Sequence, residues 1–277
     1  MLDLDALRRW PDVESPELLA HDAADALILA EAAEGIAGHE VVVIGDRHGA
    51  LTLGALDAGA SHVRVHQDPI TGERALHANA ARLGIAGFAH HALAPDLVAD
   101  ARLVLLQLPR SLDALDEIAG LVARHASPDV RIVAGGRVKH MTRTQNDVLA
   151  RHLAEVSATL AHRKARVLHA SAPRTDLGPL DWPRSVRHDD VGLTAVAHGG
   201  VFAGATVDRG TRLLLERIGE LPRADAVLDL GCGSGLLATA VALAQPHATV
   251  TATDRSAAAV RSTAATAAAN GATVVTL

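Results

Sequence analysis

Twice along this chain a short apolar run breaks into a glycine turn and then a helix, and this repeated unit restricts the fold more than any other feature. The first copy reads HEVVVIGDRHGALTL from residue 39 and the second AVLDLGCGSGLLATA from residue 226. A run this short, closed by glycine and followed by a helical period, is a strand of a parallel α/β sheet. An offset of 186 lays Gly45 on Gly231, Arg47 on Gly233 and Gly49 on Gly235. Asp68 then falls on Asp254, nineteen residues after the last glycine in both copies, and each copy continues into a helix and an Asn or Gly turn.

The stretches between extend the alternation. HVRVHQD predicts a strand, GERALHANAARL a helix, 86–92 a weak strand, and ARLVLLQLP at 101–109 a clear one. A helix near 111–126, the strand VRIVAGG and a long helix over about 141–161 follow. The fold class is α/β, a mostly parallel sheet covered on both faces. With 277 residues and 49% apolar content there is material for two domains. We place them at 1–185 and 186–277. The second holds about half a sheet, with ATVVTL as its third strand.

Composition excludes several classes. The amino terminus, MLDLDALRRWPDVESPE, is acidic and lacks the apolar core of a secretion signal, and no apolar stretch is long enough to span a bilayer. One cysteine, Cys232, rules out a disulfide framework and Cys-x-x-Cys metal spacing. The sixteen histidines, His90–His91 among them, lack clustered carboxylates or thiols, so no metal is expected. These features predict a cytoplasmic protein without a membrane partner.

Net charge is −6, yet it is unevenly spread: residues 1–100 carry 16 acidic and 6 basic side chains, residues 124–188 carry 12 basic and 5 acidic. Arg137, Lys139, Arg143, Arg163, Lys164 and Arg166 belong to the basic segment, which suits an RNA phosphate backbone or, alternatively, a solvated helix face. With two Phe, two Trp and no Tyr, stacking platforms are few.

Gly-x-Gly-x-Gly differs from the Gly-x-Gly-x-x-Gly of dinucleotide folds, which disfavours a nicotinamide dehydrogenase. In the second copy the turn is preceded by Asp229, and Gly233 leaves backbone amides open to a ligand. Arg47 stands at that place in the first copy and implies that its ligand has been lost. Cys232, inside the turn, reads as a small packing thiol. Asp254 offers two acceptor oxygens to two hydroxyl donors, or caps a helix.

The spelling of Asp229, Gly231, Gly233 and Gly235 resembles motif I of the S-adenosylmethionine-dependent methyltransferases. GGVFAGATVDRGTRLLLERI at 199–218, with ARLVLLQLPRS, GGRVKHMT and RKARVLHASAP, resembles the bacterial ribosomal RNA guanine-N2 methyltransferases of the small-subunit type C and large-subunit type G group. The resemblance implies tandem Rossmann-like methyltransferase domains, the first degenerate and the second incomplete in this chain. It further implies S-adenosylmethionine bound by Asp229, Gly231, Cys232, Gly233, Gly235 and Asp254, with Asp208, Gly210 and Thr211 nearby, and ribosomal RNA or a ribosomal subunit as partner. The family's Asn-Pro-Pro-Phe type motif has a worn counterpart in Gln107, Leu108, Pro109 and Arg110; the same offset puts its working copy at about 293–296, beyond Leu277. The catalytic residues are therefore expected outside this chain, and the open half-sheet predicts disorder, domain exchange or a dimer. Methyl transfer to DNA adenine or protein glutamine, and a noncatalytic RNA-binding role, stay open at this point.

Overall fold

Runs as apolar as 41–44 and 103–106 need cover on both faces, and the computed structural model, which describes residues 2–277, puts them at the centre of a seven-stranded sheet. The chain divides into a unit ending at Leu180 and a second running Asp181–Leu277, five residues ahead of the expected boundary.

In the first unit the strands are β1 (Glu40–Ile44), β2 (His62–His66), β3 (Phe88–His90), β4 (Leu103–Gln107), β5 (Arg131–Arg137), β6 (Leu153–Ala158) and β7 (Ala165–Pro173), in the order β3-β2-β1-β4-β5-β7-β6. β1 to β5 are parallel, and β7 is antiparallel to both neighbours. The strand period of two sorts the core into two layers. Val41, Val43, Val63 and Val65 pack with Ile28 of α1 (Ala23–Ala32), Leu51 of α2 (Ala50–Asp57) and Leu76 of α3 (Ile70–Leu83). Val42, Ile44, Val104 and Ile132 pack with Leu97 of α4 (Pro95–Val98), Leu115 of α5 (Leu112–His125) and Leu149 of α6 (Arg143–His152). The strand order reverses between β1 and β4, so a crevice opens at their carboxyl ends, where open α/β sheets receive ligands.

The predicted helix over 141–161 is a helix and a strand. α6 opens on a reciprocal cap between Thr142 and Gln145 and stops at His152; Leu153 is extended, and β6 pairs along β7. Val156 packs against the core there, so tertiary pairing overrides the helical period.

The second unit begins with a hairpin, β8 (Arg184–His188) and β9 (Leu193–Ala197), then α7 (Arg209–Leu215). β10 (Ala226–Leu230), α8 (Leu236–Ala244), β11 (Thr249–Thr253), α9 (Ala257–Ala269) and β12 (Val275–Thr276) form a parallel sheet ordered β10-β11-β12. A polar stripe of α9 and its cap satisfies β9: the Val196 amide donates to Thr266 Oγ1, the His198 amide to Ser262 Oγ, and the Thr194 amide to Asn270 Oδ1. Residues 262, 266 and 270 recur every fourth position, on one helix face. The other edge of β10 carries no strand among the described residues. At 61% and 81% exposure, Leu228 and Leu230 differ sharply from Val42 and Ile44, their counterparts beside β4, at 1% each.

No helix among the described residues is long and apolar enough to cross a membrane.

Candidate cofactor site and the matching turn of the first unit

Parallel pairing assembles the site in the second unit. Leu230 lies opposite Thr253, so the residues that follow, Gly231 and Asp254, leave the sheet side by side. The Gly231 and Cys232 amides both donate to the Thr253 carbonyl, at 2.8 and 3.1 Å. One Asp254 oxygen accepts from the Gly233 amide at 3.2 Å and the other from the Ser256 amide at 3.0 Å. Four lone-pair positions with two in use leave Asp254 able to accept two further donors. Capping of α9 falls to Ser256, whose hydroxyl accepts from Ala259.

Gly231, Gly233 and Gly235 all have positive φ, at 81°, 56° and 77°. A Cβ at Gly231 or Gly233 would meet nothing within 4 Å, whereas one at Gly235 would stand 2.6 Å from Thr263 Cα. The first two glycines therefore line open space and the third sets the turn on α9. Thr263 is fully buried, and its hydroxyl lies 3.2 Å from the Gly233 carbonyl and 3.1 Å from Cys232 Sγ. It supports the turn from below, a positioning role hidden in the sequence by an Ala-rich helix. Burial raises the Cys232 thiol, which stays protonated and packs.

Asp229 accepts from the Ala238 amide at 3.2 Å at the start of α8. Burial raises its carboxyl, and the charge of nearby Asp254 raises it further. Two acids thus flank a turn whose Gly231 and Gly233 present no side chain, a field that favours a cationic ligand. Asp208 caps α7, accepting from the Gly210 and Thr211 amides and the Thr211 hydroxyl at 2.6 Å. The Thr211 hydroxyl and these amides hold its carboxyl below the usual range. The predicted trio is brought together as a helix start.

In the first unit the turn has the same frame and other contents. Gly49 begins α2 in a left-handed conformation, as Gly235 begins α8. However, the Gly45 amide donates to His66, so Gln67, and not Asp68, stands where Asp254 stands; the constant offset slips by one residue before β2. Gln67 Nε2 donates to the Asp46 carbonyl, and the Asp46 carboxylate accepts from the Gly49 and Thr52 amides. Buried His48 contacts the Ala20 carbonyl and Asp12. These side chains, and not Arg47, occupy the turn. Arg47 is exposed, because a guanidinium left unpaired in that turn would lose its hydration.

The basic candidates gather at one end of the first sheet. Gly136 pairs with Arg166 and Arg137 with Ala165, and the Val138 amide donates to the Lys164 carbonyl at 2.9 Å, which sets Arg137 and Lys139 beside the β6–β7 turn. Arg163 and Lys164 form that turn with φ of 48° and 65°, where Asn and Gly ordinarily sit. Arg143 opens α6, and a cation at a helix start is unfavourable. No group of three or more His, Cys, Asp or Glu among the described residues is placed to hold a metal ion.

A switch-point sheet in the first unit, and a strand, glycine turn, helix and acid-tipped strand in the second, define the class: a Rossmann-like methyltransferase. Comparisons agree. The RLMG N-terminal domain family matches residues 3–174 and the Methyltransferase small domain family residues 192–277. The Ribosomal RNA large subunit methyltransferase G of Pseudomonas entomophila is 35% identical over 265 residues, covering 94% of this chain and 70% of that protein. The protein of the same name from Pseudomonas savastanoi pv. phaseolicola is 34% identical over 268 residues, with 95% and 70% covered. A T. thermophilus 16S rRNA N2 methyltransferase, solved with AdoMet and guanosine, shares the fold at a TM-score of 0.69 and 21% identity, covering 93% of this chain and 69% of that one. This chain belongs to the ribosomal RNA large subunit methyltransferase G family.

Proposed function

We propose that the chain serves S-adenosylmethionine-dependent methyl transfer to the exocyclic N2 of a guanine in ribosomal RNA. The observation that carries this reading is the pairing of Leu230 with Thr253, which sets Asp254 beside the open glycine turn in a family named for rRNA methylation. S-adenosylmethionine, when bound, supplies a sulfonium-activated methyl group. The residues fit it: Asp254 offers its spare lone pairs to the ribose hydroxyls, Gly231 and Gly233 leave room for the methionine end, and Asp229 with Asp254 favours the positive sulfonium. Asp208, Gly210 and Thr211 are engaged with one another as the cap of α7.

Residues 181–277 are read as cofactor-binding and the first unit as a degenerate copy given over to RNA. Arg137, Lys139, Arg143, Arg163, Lys164 and Arg166 are its proposed RNA contacts, supported by their convergence and by the two cations in a turn that suits neither. Methyl transfer to DNA adenine or protein glutamine has no comparable support. The free edge of β10 is the proposed site for a further strand, from the same chain or a second copy.

The test is isothermal calorimetry of the chain with S-adenosylmethionine. Binding lost in Asp254→Asn but kept in Arg47→Ala supports the assignment; unchanged heat in Asp254→Asn overturns it.

A further inference from the structure

At the carboxyl ends of β1, β4 and β5, in the crevice of the first unit, lies a cavity of about 530 Å³. This is within the range of small-ligand pockets and is of nucleotide size. Its rim carries Arg47, Arg110, Arg137 and Lys139, all exposed and none with an acidic partner among the described residues. They sit close enough together that, after desolvation, it is their charges that push the neighbouring His140 imidazole down. Glu17 and Asp22 also line the cavity, but neither pairs with these four cations among the described residues; unpaired like charges repel, so packing gives no reason for the cluster. An anionic ligand does.

Below the rim the lining changes. Leu108, Pro109 and Met141 give apolar faces, and the buried side chains of Asp25, Gln107 and Gln145 give hydrogen-bonding groups. Gln107 Nε2 donates to Asp25, which joins β4 to α1 across the floor. Charge at the mouth, apolar walls and polar groups at depth match phosphate, base faces and base edge in turn. Unstacked bases also lie on guanidinium planes, so a chain poor in aromatic residues is not barred from holding one.

We infer that this cavity binds one unpaired nucleotide of the RNA, its phosphate on Arg110, Arg137 and Lys139 and its base between Pro109 and Met141 above Gln107. The inference rests on the RNA-binding reading and adds a defined site to it.

Fluorescence anisotropy of the full chain with a labelled single-stranded RNA decamer, and with a hairpin duplex, tests it across a salt series. The expected result is preference for the single strand, competed by guanosine monophosphate but not by equal inorganic phosphate. In Arg110→Ala/Arg137→Ala the log–log salt slope should fall by about 0.7, the share of the one single-strand phosphate that these side chains hold. Competition by phosphate as strong as by the nucleotide would reduce the cavity to an anion site and overturn the inference. If that pair leaves binding unchanged while Arg163→Asn/Lys164→Gly weakens it, the RNA reading stands and the cavity site falls. If no RNA is retained at low salt, both fall.

Discussion

Single atoms decide which positions of the second glycine turn tolerate a side chain. At Gly235 a methyl group would meet Thr263 Cα at 2.6 Å on a backbone already at φ 77°; at Gly233 it would enter open space at φ 56°. Gly233→Ala should therefore cost only the left-handed penalty, about 1–2 kcal/mol, and Gly235→Ala more, with distortion of the turn. Urea denaturation orders the two, and equal losses would contradict the packing. Asp25 makes a second case. Burial, with smaller contributions from Asp46 and Asp22, pushes its carboxyl up to about 7 from 3.8. Unfolded, it ionises near 3.8 while the folded group stays protonated, so folding is progressively penalised as pH rises from about 4 to about 7, and the penalty levels off above that. Asp25→Asn removes the charge and keeps one acceptor oxygen, for the Asp22 amide, while Gln107 turns its own amide to accept from the new NH2. It should stabilise the protein at pH 8 and change little at pH 4, by urea midpoints; an equal effect at both would refute the buried-carboxylate account.

Between strands, the β6–β7 hairpin exposes a conflict between stability and charge. Arg163 and Lys164 hold left-handed conformations that Asn and Gly adopt at little cost. Arg163→Asn/Lys164→Gly should raise the melting temperature and lower RNA affinity, and unchanged affinity would remove this turn from the proposed contacts. The hairpin also shows where sequence reading stops. Strands with apolar residues on both faces, such as β1 and β4, were legible because the parallel interior demands them. Helix α1 was not, since AADALILAEA has no periodic contrast, and its signal was the Asp22–Asp25 capping box. β6 was hidden because its pairing partner lies later in the chain. The glycine turn with Asp229 and Asp254 was legible from spacing, whereas Thr263 and the cavity floor depend on residues distant in sequence. β10 supplies a further expectation: its exposed Leu228 and Leu230 beside an unpaired edge should drive concentration-dependent self-association. Sedimentation velocity should find it reduced in Leu228→Lys/Leu230→Lys, and a concentration-independent monomer of the parent chain would exclude it.

Across the whole molecule, the two units share a strand, glycine turn and helix and differ in what fills the turn. The first unit keeps the complete sheet and fills its turn with Asp46, His48 and Gln67, while the second keeps the turn empty and places the acid. Closure in the first unit has two independent causes: Asp46 consumes the amides that open α2, and the acid lies one residue out of register. Reversing one cause should not reopen it. Calorimetry should thus find one S-adenosylmethionine site per chain, none in Asp254→Asn, and still one in Arg47→Gly/Gln67→Asp, because the Asp46 cap and the buried His48 remain. A second equivalent of heat in that double variant would mean that the side chain at position 47 or 67 alone had kept the first turn shut, and that the two units differ by less than their hydrogen bonds imply.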